Sequence, residues 1–103
     1  MEESNISPIR SDFEQIKKQD ESGSEYWASR DLCVVLGYST YQKFTRTINK
    51  AIAIANHKGL NTAEHFNHTV EMVRLGSGSF REVENIHLSR MACLIIAENA
   101  DDK

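Results

Sequence analysis

Residues 40–56, TYQKFTRTINKAIAIAN, constrain this chain more than any other stretch. Turned through 100° per residue, Tyr41, Phe44, Ile48, Ala51, Ile52 and Ala55 gather on one side of a helix. Lys43, Arg46 and Lys50 recur at spacings of three and four on the opposite side, flanked by Gln42, Thr47 and Asn49. The pattern predicts a helix from about Thr40 to Asn56 that stops before Gly59. An amphipathic helix of this length needs an apolar surface to pack on, and the rest of the chain has to supply it.

The flanking segments offer one. Ser29 reads as an N-cap, Asp31 suits the first turn of a helix, and Leu32, Val35 and Leu36 form a stripe that ends at Gly37. Ser39 opens Ser-Thr-Tyr-Gln, the spacing of a capping box with Gln42. Asn61 or Thr62 can cap one further turn. β-rich arms around Gly76-Ser77-Gly78-Ser79 predict a hairpin, with strands near 68–75 and 80–87. Ser89 caps a last segment that is apolar nearly all round, which predicts a buried helix. Ahead of these, Phe13 and Ile16 lie on one side of a polar turn and Tyr26 and Trp27 on the other. That reads as a first hairpin near 12–18 and 24–28, with a helix over 12–19 as the rival. Residues 1–11 read as a loose start and 12–103 as one domain. The expected class is α+β: a helix-turn-helix-like pair, two β-hairpins and a buried C-terminal helix.

Charge is unevenly spread. The net charge of the 103 residues is −3. Residues 1–31 carry eight acids and four bases, and residues 64–103 seven acids and four bases. Residues 32–63 carry Lys43, Arg46, Lys50 and Lys58 and no acid. Helix surfaces commonly mix signs, because Glu–Lys pairs stabilise them. Leaving acids out of a third of the chain removes that support, and an anionic partner explains the omission. A short capped helix, a tight turn and a longer polar-faced helix have the sequence shape of a helix-turn-helix, with the later hairpin as a wing. Lys43, Arg46 and Lys50 then face phosphates or guanine edges, Gln42 or Asn49 an adenine, and Arg74 and Arg81 beside the hairpin loop join them. The bland alternative is a solvated charged face on an ordinary helical hairpin.

Other features argue against further chemistry. His57, His65 and His68 lie within twelve residues, but no cysteine or second histidine pair joins them, so no metal or cofactor is expected. Gly76–Ser79 lacks the Gly-Lys-Ser ending of a phosphate loop. Cys33 and Cys93 sit inside apolar runs and read as buried free thiols. The serines have sufficient roles as caps, and no catalytic set emerges. The most apolar run, Met91 to Ala97, is too short to span a bilayer.

Two stretches, YWASRDLCVVLGYSTYQKF and HF…MVRLGSGSFREVENIHLSRMACLIIAEN, carry a wider resemblance. Together they resemble the N-terminal region of the bacterial DNA-damage-inducible protein D family, which is similar to the BRO-N domain of viral BRO proteins and phage antirepressors. The resemblance covers roughly residues 13–102. It implies a BRO-N-like α+β DNA-binding domain of a cytoplasmic, non-enzymatic damage-response protein. The resemblance implies longer family members, so a C-terminal region of the family is expected to be absent from these 103 residues. DNA is the first expected partner, single- or double-stranded. A recombination or repair protein is the alternative, consistent with the net −3 charge. A homodimer is the third partner considered.

Overall fold

A computed structural model describes the backbone of residues 8–100 and the side chains of residues 12–100. The elements run α1 (Pro8–Gln15), β1 (Lys18–Gln19), β2 (Glu25–Ala28), α2 (Ser29–Val35), α3 (Tyr41–His57), α4 (Thr62–His65), β3 (Phe66–Arg74), β4 (Phe80–Leu88) and α5 (Arg90–Glu98). The strands form one antiparallel sheet in the order β1-β2-β4-β3. The architecture is α+β, as the sequence predicts.

The N-terminal hairpin is largely corrected. Its first arm is helical: α1 begins at Pro8 and runs to Gln15, so residues 8–11 are helical rather than loose, while 1–7 lie outside the described residues. Proline suits a first helical position because its missing N–H would have no partner there. Phe13 then stacks on Trp27, centroids 4.6 Å apart, and its carbonyl accepts the Trp27 indole N–H at 2.9 Å. That anchor favours the helix over a strand. Only Lys18 and Gln19 pair with β2, across a turn in which the Asp20 carboxylate accepts the N–H groups of Ser22 and Ser24.

Two predicted caps also move. Ser29 makes no capping bond; the N-cap of α2 is Ala28, and the Ser29 side chain is buried and turned to the sheet. Thr40, not Ser39, caps α3, accepting the Lys43 N–H at 3.1 Å. The third residue after the cap is then Lys43, so Gln42 closes no capping box. Gly37 ends α2 as expected: at φ +84 it lets Tyr38 N–H return to the Cys33 carbonyl and Gly37 N–H to that of Val34. Asn61 caps α4 and Ser89 caps α5.

The core lies between the inner face of the sheet and the helices. Trp27, Leu88 and Phe66 occupy one cross-strand row, and Ile86 follows on the same face. Leu32 and Leu36 of the α2 segment, Phe44, Ile48, Ala51 and Ala55 of α3, and Cys93, Ile95 and Ile96 of α5 close over them. Phe44 and Ile48 are fully buried, each contributing roughly 1.5–3 kcal/mol by leaving water. Helix α5 is less enclosed than its composition predicts. Its inner side packs on α3, while Met91 and Leu94 remain 46% and 53% exposed. Nine residues packed along one side leave the other to solvent.

The second hairpin extends further inward than predicted. Strands β3 and β4 pair without a break from Phe66↔Leu88 to Arg74↔Phe80. Leu75 N–H donates to the Ser79 carbonyl and Gly78 N–H to that of Leu75, closing a tight loop. The inner end belongs to the core. The outer half projects into solvent as an arm.

Candidate nucleic-acid interface

Helix α3 is held from two sides, and this fixes which side it shows. Phe44, Ile48, Ala51 and Ala55 are locked in the core. At its start, Ser29, Asn85 and Tyr41 form a polar knot. The Ser29 hydroxyl donates to Asn85 Oδ1 at 2.8 Å and accepts the Ile86 N–H at 3.0 Å. Its one proton is thus committed, so the Tyr41 hydroxyl, 2.7 Å away, is the donor to Ser29. The Arg30 guanidinium lies 4.0 Å from the Tyr41 ring centroid, and its Nε donates to the Glu84 carbonyl at 2.7 Å. These contacts tie α2, α3 and β4 together at one corner.

The face left outward carries Gln42, Lys43, Arg46, Asn49 and Lys50, all exposed. Lys43 and Lys50 are seven residues apart, so the three cations span roughly 10 Å along the helix. Among the described residues, none of them has a carboxylate within 4 Å. His57, seven residues beyond Lys50, continues the same row and is exposed. Its spacing of seven from Lys50 is the signal in the sequence that places it there.

Thr47 is removed from the face. It is 6% exposed, and its hydroxyl is 2.8 Å from that of Tyr38, which is also buried. The loop after Gly37 folds Tyr38 over the helix edge where Thr47 stands. Lys58 is exposed but is the C-cap of α3, roughly 80° around the axis from Lys50. Arg74 and Arg81 are exposed too, yet they stand on opposite faces of the arm. Arg74 shares a row with Phe80, and Arg81 shares the next row with Val73. The structure therefore joins Gln42, Lys43, Arg46, Asn49 and Lys50 and leaves the two hairpin arginines facing apart.

A second group of cations behaves differently. Lys17 lies 3.1 Å from Glu25, and Arg90 lies 3.6 Å from both Glu14 and Glu25. The Glu25 carboxyl is held below its ordinary range chiefly by its hydrogen bond from Lys17, and the Lys17 ammonium is raised for the same reason. These pairs stitch α1, β2 and α5 together. The cations of α3 have no such structural partner among the described residues.

The remaining candidates resolve locally. The His65 ring is 2.6 Å from the Ser89 hydroxyl and so belongs to the α5 cap. Among the described residues, no three of His, Cys, Asp and Glu are grouped as a metal would need. Cys33 and Cys93 are buried free thiols, and burial pushes the Cys93 thiol up to about 12. No helix of the described residues is long and apolar enough to cross a membrane.

Fold and face together define a small α+β domain that presents one basic helix surface with no ion-pair partner among the described residues. Over 89 residues, 86% of its length, the chain is 36% identical to DNA damage-inducible protein D of Escherichia coli (strain K12), and that match makes it a relative of this protein. It spans 32% of the relative's length. No protein-family profile and no solved structure matches it.

Proposed function

We propose that this is a non-enzymatic, BRO-N-like DNA-binding domain of a DNA-damage response protein, working in the cytoplasm. Its contact surface is the exposed face of α3: Lys43, Arg46 and Lys50, with Gln42 and Asn49 beside them. The observation that carries the reading is electrostatic. The first turn of α3 holds no acid, and Lys43 sits there against the positive end of the helix dipole. Cations at a helix start are unfavourable alone, and a phosphate at that end relieves them. Helices α2 and α3 then act as a helix-turn-helix pair, with the arm as a wing presenting Arg74 or Arg81. The name of the E. coli relative supports the damage-response setting.

The test is a fluorescence-anisotropy titration on duplex and single-stranded DNA at several salt concentrations. Lys43→Glu with Lys50→Glu should weaken binding at least tenfold and lower the salt slope by about 2, since each phosphate contact contributes roughly 0.9. Both side chains are exposed and a glutamate at position 43 suits the helix start, so the unfolding midpoint should hold or rise. Equal binding by parent and double mutant would sink the proposal.

A second reading has its own motive in the net charge of −3, which opposes strong DNA affinity. Under it the domain binds a recombination or repair protein. If the parent fails to bind either DNA form even at low salt, this reading takes over.

A further inference from the structure

The outer half of the arm is unusual for a protein edge. Among the described residues β3 is the last strand of the sheet, so one side of its backbone has no described strand beside it. Exposed edges are commonly blunted by proline, by charged side chains, lysine above all, or by a bulge. The nine residues of β3, FNHTVEMVR, contain neither proline nor lysine, their two charges are of opposite sign (Glu71 and Arg74), and their pairing with β4 runs without a bulge. On the face that continues the core, Val70 is 62% exposed, Met72 60% and Phe80 59%.

The loop fixes which backbone groups are free. Leu75 N–H bonds to the Ser79 carbonyl, so Leu75 and Ser79 are a hydrogen-bonded pair. Antiparallel pairs alternate, so Arg74↔Phe80, Met72↔Glu82 and Val70↔Glu84 are non-hydrogen-bonded. The N–H and C=O groups of Val70, Met72 and Arg74 therefore point away from β4, along the open edge. The same three residues carry their side chains on the apolar face.

We infer that β3 pairs with β3 of a second copy of this chain, antiparallel, about a two-fold axis through Met72. In that register Met72 faces Met72, and Val70 faces Arg74 of the second copy on each side. Each of these three pairs exchanges both backbone hydrogen bonds.

Charge selects this register. On the apolar face, Arg74 lies across Val70 of the second copy, with that copy's Glu84 on the next strand. On the other face, Glu71 lies across Val73 of the second copy, with that copy's Arg81 beyond it. Two strand spacings are about 10 Å, which an arginine and a glutamate span together. Sliding one step toward the body centres the axis on Glu71 and sets two carboxylates opposite one another, which is destabilising. Sliding one step outward centres it on Val73 and parts Glu71 from Arg81. The chosen register also leaves room: the loop of each arm reaches only to His68 of the other, and the two bodies lie at opposite ends of a continuous eight-stranded sheet.

Sedimentation equilibrium on the whole chain tests this. So narrow a contact belongs to the weak class, so the series should extend to about 1 mM. The parent should show a concentration-dependent dimer. Met72→Lys sets two ammonium groups on the axis and should weaken it at least about tenfold. Arg74→Glu should weaken it as well, and adding Glu84→Arg should restore most of the loss. These side chains are exposed, and far-ultraviolet circular dichroism confirms the fold. A parent that stays monomeric to about 1 mM, or a dimer indifferent to Met72→Lys, would overturn the inference. A dimer lost with Arg74→Glu and not recovered with Glu84→Arg would overturn the register.

Discussion

Strands β3 and β4 meet two environments along one uninterrupted ladder. At the inner end Phe66, Ile86 and Leu88 are 2%, 6% and 0% exposed. In the three rows that follow Ile86 on the same face, Val70, Met72 and Phe80 are more than half exposed. The alternation of side chains is the same in both halves, and so is the backbone pairing. What differs is the layer above: helices α3 and α5 cover the first half and nothing among the described residues covers the second. Pairing is therefore set by local pattern, while burial is set by how far the helices reach.

The largest expected effect breaks the inner half. Leu88→Ala removes a fully buried side chain and should cost about 2–5 kcal/mol. Val70→Ala on the same face should change stability by about 0.5 kcal/mol or less. Urea unfolding at an unchanged slope reads both. Comparable losses would mean that the arm packs on something and that the two halves are alike after all.

The second prediction divides one cross-strand pair. Asn85 and Thr69 are direct partners, but Asn85 is 4% exposed and its Oδ1 accepts from Ser29 Oγ, Arg30 N–H and Ile86 N–H. Asn85→Ala strands the Ser29 O–H and the Arg30 N–H, while Ile86 N–H keeps Ser29 Oγ, and should cost about 1–3 kcal/mol. Thr69→Ala loses one long contact, to the Asn85 carbonyl at 3.5 Å, and should cost a few tenths of a kcal/mol, roughly. Near-equal costs would show that the Ser29–Asn85–Tyr41 knot does not hold α3 in place.

How much of this was legible follows from the range of each interaction. Helix α3, the hairpin, Gly37 and the caps at Asn61 and Ser89 depend on residues within a few positions, so periodicity and cap chemistry reveal them. Ser29 looked like a cap because its role is decided 56 residues away at Asn85. Thr47 looked like a flank of the basic face because no helical wheel shows Tyr38 folding over it. Phe13 and Ile16 fit a strand or a helix over so short a span, and only the stack on Trp27 decides. The basic row needed composition and helical phase alone, which the sequence holds in full. The exposure of Val70, Met72 and Phe80 left no signal: alternation reads the same whether or not a helix lies above it.

The smallest expected effect tests whether the arm is a separate unit of stability. Gly78 closes the loop at φ +92, where a side chain is strained, yet an added Cβ would meet no atom within 4 Å. The cost of Gly78→Ala is thus purely conformational, roughly 1 kcal/mol. If the outer rows open without the body, that cost falls on local opening alone. Amide exchange at Leu75 and Gly78, whose N–H groups make the loop bonds, should then quicken by about fivefold. The urea midpoint should barely move, because the core at Phe66, Ile86 and Leu88 is untouched. If instead the midpoint falls by the full cost, the ladder transmits strain from loop to core. The hairpin would then be a single cooperative element, and its exposed half would be stabilised by more than backbone pairing.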